Sequence, residues 1–208
     1  MTDTLIHAFI TLFVIADPFG IAPIFLALTA GSDEPYKKRM AVRGVAIATI
    51  VMLVFAFGGE YLFRALGVSI QAFSIAGGAL LFLLAIDMVL ARRTGLRSTT
   101  VSEDREAGSK EDISVFPLAI PLIAGPGALT SILLLMERTN HDILLQAGII
   151  ADLLVVMGLN YVALSYARYL NRLLGVTGVN VVGRVFGIIL AALAVQFILN
   201  GIQRSGLV

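Results

Sequence analysis

The stretch IADPFGIAP, residues 15–23, sits in the middle of the first long apolar run of the chain. Proline has no amide hydrogen and its ring clashes with the carbonyl four residues back. It therefore suits the first position of a helix and disrupts an interior. Asp17, directly before Pro18, reads as the N-cap of a new helix. The backbone groups freed at such a break need protein or a wet cavity around them if the run crosses a bilayer. The stretch thus predicts a membrane helix broken near its centre, and the rest of the sequence can be tested against that expectation.

Composition points the same way. Of 208 residues, 58% are hydrophobic and only 14% are charged, against roughly 25% charged in soluble domains. A bilayer-crossing helix needs about 20 apolar residues, and six runs qualify: about 5–28, 40–63, 69–90, 116–136, 143–164 and 179–202. The fold expected is an all-α membrane protein of six transmembrane helices in one domain. The net charge of +1 carries no basic field for nucleic acid, and the absence of cysteine excludes disulfides and thiolate sites. The first cation is Lys37, so the N-terminal run does not read as a cleaved signal.

Cations set the direction. Lys37, Lys38, Arg39 and Arg43 fall on one side. Arg92, Arg93, Arg97, Arg105 and Lys110 fall on the same side, as do Arg168, Arg172 and Arg184. The other side holds Arg64, Arg138 and Arg204. The rich side is expected to be cytoplasmic, with both termini outside and a flexible cytoplasmic loop at about 91–115.

The chain also repeats. At an offset of 108, EYLFRALGVS (60–69) meets RYLNRLLGVT (168–177) with six identities in ten positions. The same offset lays Ala16 on Ala124, Pro18 on Pro126 and Leu26 on Leu134. One inserted residue near Gly178 then brings Gly78 onto Gly187 and Ala85 onto Ala194. Repeat one covers about 1–98 and repeat two about 113–208. Three spans per repeat make the second copy enter from the opposite face, the inverted arrangement of many secondary transporters.

The two breaks occupy matching places. Asp17-Pro18-Phe19-Gly20 interrupts the first span and Gly125-Pro126-Gly127 the fourth, both near the midplane at 1.5 Å per residue. Pro18 and Pro126 read as first residues of half-helices, with Pro23 a further breaker. The uncapped Gly125 end offers N–H groups to a carboxylate, and Asp17 offers an acid to an ammonium group. A small neutral amino acid fits between them. The candidate substrate site is Asp17, Pro18, Phe19, Gly20, Gly125, Pro126 and Gly127, with hydroxyls from Thr130 and Ser131. The alternative roles for Asp17 are a plain helix cap and a proton carrier. Asp152 and Asn160, two turns apart in the fifth span, are candidates with Asp17 for coupling to H+ or Na+; Asn160 also suits an interhelical hydrogen bond. No phosphate-binding glycine loop and no HExxH motif occurs, so no catalytic residue, cofactor or metal is expected.

ADPFGIAPIFLALTAG (16–31) and PLAIPLIAGPGALTSILLL (117–135) resemble the two signature segments of the MarC family, bacterial and archaeal inner-membrane proteins. The resemblance spans essentially the whole chain. It implies a multi-pass transporter-like fold with both termini outside and, from members with an assigned activity, movement of glycine, alanine or serine. The matching motif positions are Asp17, Pro18, Gly20, Pro23, Gly125, Pro126 and Gly127. The function expected is secondary transport of small neutral amino acids across the bacterial cytoplasmic membrane by alternating access. The alternatives are a non-transporting membrane scaffold and an exporter of other small metabolites or drugs. Oligomeric state is left open.

Overall fold

The computed structural model describes residues 2–90 and 112–205. Most of the expected cytoplasmic loop, with Arg92, Arg93, Arg97, Arg105 and Lys110, lies outside these residues, as does the end of repeat one. The described chain is helical: α1 (Thr2–Ala16), α2 (Pro18–Leu28), α3 (Glu34–Ala65), α4 (Ile70–Val89), α5 (Ser114–Ile123), α6 (Pro126–Glu137), α7 (Ile143–Ser165) and α8 (Ala167–Arg204). Asp33, Ser69 and Asp142 accept hydrogen bonds from the first-turn N–H groups of α3, α4 and α7, which fixes where those helices start.

Among the described residues, five helical runs are long and apolar enough to cross a membrane: Thr2–Leu28, Glu34–Ala65, Ile70–Val89, Ile143–Ser165 and Thr177–Arg204. The pair α5 and α6, bent by 58° at the break between them, makes a sixth when counted as one broken span. Large apolar side chains such as Val54, Phe57 and Ile188 are more than half exposed, as a lipid-facing surface requires. The chain is an all-α integral membrane protein.

Three expectations need correction. The first half of the fourth span is not an ordinary α-helix. Pro117 and Pro121 each remove a backbone donor, Phe116 and Ile120 take extended dihedrals, and Leu118 and Ala124 instead donate to carbonyls five residues back. Pro23 does not break its helix, because α2 continues through it to Leu28 with only the bond to the Phe19 carbonyl forfeited. The amide of Asn160 makes no interhelical bond; it donates to Val156 O on its own helix at 3.2 Å.

The repeat is visible in the packing. α1 packs on α7 as α5 packs on α3; α2 packs on α8 as α6 packs on α4; α2 packs on α7 as α6 packs on α3. Buried positions of α3 (Ala41, Val45, Ala48, Met52, Ala56) recur 108 residues on as Ile149, Leu153, Val156, Asn160 and Leu164, all buried in α7. Gly67 and Gly175, paired at the same offset, both have left-handed backbones, with φ of 70° and 62°. Gly175 therefore ends one helical segment inside α8 as Gly67 ends α3.

The central seam fixes the relation between the copies. A Cβ on Gly78 would lie 2.7 Å from Ala194 O, and one on Gly187 would lie 3.0 Å from Ala85 O. Since Gly78 corresponds to Gly187 and Ala85 to Ala194, these two contacts are the same contact made twice. A third, Gly201 against Gln71 O at 2.9 Å, continues the series. The positions 71, 78 and 85 meet 201, 194 and 187, so α4 and the latter part of α8 run antiparallel. Equivalent helices of the two copies are thus inverted. Small residues let these backbones approach closely, which is how helices associate without a hydrophobic driving force.

Candidate functional site

At the first break Asp17 has φ 44° and ψ 63°. Pro18 disfavours the right-handed region for the residue before it, and aspartate tolerates the left-handed one. The Asp17 carboxylate accepts the Gly20 N–H at 3.1 Å and is 3% exposed. A Cβ at position 20 would collide with that carboxylate, so Asp-Pro-x-Gly works as one capping unit. Phe19 stands edge-on to Phe13 at 6.2 Å and to Phe186 of α8 at 6.1 Å, joining the first break to the second copy.

At the second break Gly125 is extended, with φ −75° and ψ 171°, and makes no side-chain cap. Pro126 opens α6, and Leu129 N–H returns to Gly125 O. The N–H groups of Gly127 and Ala128 precede the first carbonyl that an α-helix can offer them. They carry the positive end of the α6 dipole. A Cβ on Gly125 would lie 2.6 Å from Pro121 O, so the irregular α5 presses directly on the break.

This end opens onto a cleft lined by Ile15 of α1, Leu80 and Leu84 of α4, Pro121, Leu122 and Ile123 of α5, and Gly125 through Ala128. No charged side chain is in its wall. A positive helix end among apolar walls suits a small solute bearing a carboxylate and a short apolar side chain. Ile15 brings the first break to the cleft's edge, but Asp17, Pro18, Phe19 and Gly20 are not part of the lining. The geometry assembles Gly125, Pro126 and Gly127 into one site and leaves the Asp17 group beside it.

The hydroxyl of Thr130 donates to Pro126 O at 2.8 Å, and its methyl rests on Gly77. Ser131 is fully buried, and its Oγ has no hydrogen-bond partner. Asp152 Oδ2 and Asn160 Oδ1 are likewise buried without partners. Leu5 rests against Gly148, and twelve residues further along each helix stand Asp17 and Asn160. The fourth span runs parallel to α3, since Gly44 meets Leu118 and Gly59 meets Leu133. The inverted copy makes α1 parallel to α7 by the same token. Asn160 is therefore level with the first break. Among the described residues no group of His, Asp or Glu is arranged for a metal ion.

The chain matches the MarC family integral membrane proteins over residues 2–205. It belongs to the MarC family. Relatives include the UPF0056 inner membrane protein YhgN of Escherichia coli K12, 37% identical over 201 residues with 97% of each chain covered. The UPF0056 membrane protein YvbG of Bacillus subtilis is 32% identical over 203 residues, covering 98% of this chain and 96% of that protein. A UPF0056 membrane protein of Archaeoglobus fulgidus is 34% identical over 199 residues, covering 95% and 92%. No solved structure matches.

Sequence reasoning missed the walls of the MarC cleft. Ile15, Leu80, Leu84 and Leu122 are unremarkable letters in apolar runs. One signal was available: Pro117 and Pro121, one turn apart, announce that the half-span leading to Gly125 cannot be a regular helix. The Gly77-Gly78 pair packs closely, with Gly77 beneath Thr130 and Gly78 on Ala194. One turn apart on α8, Gly187 makes a close approach while Gly183 faces open space.

Proposed function

We propose that this MarC protein is a secondary transporter of small neutral amino acids of the glycine, alanine and serine class. The observation that carries the reading is the uncapped N-terminus of α6 opening on a small apolar cleft inside a broken span whose inverted counterpart is also broken. The substrate carboxylate takes the N–H groups of Gly127 and Ala128, and the short side chain meets Leu80, Leu84 and Ile123. The Asp17 carboxylate, at the neighbouring break, supplies the negative field for the ammonium group. The interlocked copies rock about the α4–α8 seam to expose the cleft to either face in turn. The protein sits in the bacterial cytoplasmic membrane with both termini outside, as the Lys and Arg distribution favours.

Coupling to H+ or Na+ is assigned to Asp17, Asp152 and Asn160. The support is that α7 buries two unpartnered oxygens, one of them level with the Asp17 break. Such oxygens are costly unless something completes them. The test is flux of labelled glycine and alanine into liposomes holding the purified protein, with proton or sodium gradients imposed separately. Gradient-dependent uptake of at least one of them is expected. Absence of flux for glycine, alanine and serine under both gradients overturns the reading.

A further inference from the structure

A second cleft lies at the other end of α6, where Gln71 and Ser74 of α4 and Asn200 and Arg204 of α8 surround Glu137 and Arg138. It is polar where the first is apolar. Glu137 accepts Arg204 at 2.9 and 3.0 Å, and the Arg138 guanidinium lies over the Phe197 ring at 5.4 Å. One seam joins the two clefts. On α6, Gly127, Thr130, Leu134 and Glu137 follow helical spacing along one face. On α4, Leu84, Leu81, Gly77, Ser74 and Ile70 do the same in the reverse direction. Gly127 meets Leu81 and Thr130 sits on Gly77, while Leu134 and Glu137 share the polar cleft with Ser74 and Ile70.

We propose that the polar cleft is the mouth, on the side of the chain's C-terminus, of a substrate path running along the α4–α6 seam to the Gly125 cleft. The path has two closures: the Glu137–Arg204 ion pair at the mouth and Thr130 seated on Gly77 midway. The mouth suits a zwitterion, whose ammonium replaces Arg204 at Glu137 while its carboxylate meets Arg204 and Arg138, so neither charge is stranded when the pair parts. This deepens the transport reading and rests on it for the identity of the solute, but the path itself is testable without any substrate.

The chain has no native cysteine, so a single thiol reports on access. Ala128→Cys, in the inner cleft, is placed in reconstituted protein and labelled with a membrane-impermeant thiol reagent from the C-terminal side. Glu137→Gln and Thr130→Ala, each added to Ala128→Cys, are expected to raise the labelling rate at least fivefold. The exchange Glu137→Arg with Arg204→Glu is expected to bring it back toward the parent rate. Unchanged rates in both single variants, with each protein eluting as a folded species, overturn the path, as does equal acceleration of a control thiol at lipid-facing Ile188→Cys. If labelling behaves as expected while no amino acid flux is found, the path stands and the assignment of its solute falls.

Discussion

Asp17 caps the first break, and in the proposed transport reading it also supplies that break's charge; two substitutions separate these roles. Asp17→Ala removes the bond to Gly20 N–H and places alanine at φ 44°, so a loss of about 1 kcal/mol or more is expected from the cap alone. Asp17→Asn keeps an acceptor and tolerates the left-handed backbone, so its thermal midpoint should stay near that of the parent. If the charge serves transport, Asp17→Asn loses flux at unchanged stability; equal flux in Asp17→Asn and parent reduces Asp17 to a cap. At the opposite end of the chemistry, Asp112 lies outside the spans. The Ser114 hydroxyl and N–H hold its carboxyl below the usual range, burial opposes them, and Arg43 at 2.9 Å adds a further downward push. A depressed folded pKa contributes stability that is complete above the unfolded value near 3.8 and is lost as pH falls through the folded one. Asp112→Asn should therefore flatten the acid limb of stability below about pH 4, measured as midpoint against pH. A limb identical to the parent's would contradict this.

At the scale of elements, the α4–α8 seam makes a reciprocal prediction. Gly78→Ala and Gly187→Ala each push a methyl against a carbonyl of the facing helix, Ala194 O in one case and Ala85 O in the other. Because the contacts are equivalent, both substitutions should destabilise by similar amounts, about 1–3 kcal/mol. Gly58→Ala and Gly183→Ala, whose added methyls meet open space inside helices, should instead be neutral or stabilising by about 0.5–1 kcal/mol. Thermal midpoints of the four variants decide this, and a tolerant Gly78 beside an intolerant Gly187 would deny the equivalence. Much of this was legible beforehand. The 108-residue offset named Gly67 and Gly175 as partners, and both prove left-handed. The one-residue insertion near Gly178 paired Gly78 with Gly187, and the seam uses that pairing. Proline chemistry placed both breaks, since Pro18 and Pro126 open α2 and α6. What stayed hidden depends on three-dimensional neighbours. Apolar periodicity does not say which leucines face a cleft and which face lipid, so Leu80 and Leu84 carried no mark. Nor does a list of polar residues reveal that Asp17 spends one carboxylate oxygen on Gly20 N–H and lies beside the cleft instead of in its wall.

At the scale of the whole molecule, the principal contacts cross between the copies. α1 and α2 pack on α7 and α8, and α5 and α6 pack on α3 and α4, so neither copy buries its apolar faces alone. Ion pairs hold the broken fourth span at its ends: Arg43–Asp112 before α5 and Glu137–Arg204 at the last residue of α6. Between them the span is irregular, bent and open to a cleft, whereas α4 and α8 approach each other closely through small residues. Alternating access in such a molecule requires that a loaded site reorient faster than, or at least differently from, an empty one. The most direct measurement is counterflow: liposomes containing the protein are loaded with unlabelled alanine, no ion gradient is imposed, and uptake of external labelled alanine is followed. The account predicts a transient accumulation of label above the equilibrium level, several times that of liposomes loaded with buffer alone. Identical uptake in loaded and unloaded liposomes, for alanine, glycine and serine alike and with folded protein, would contradict it.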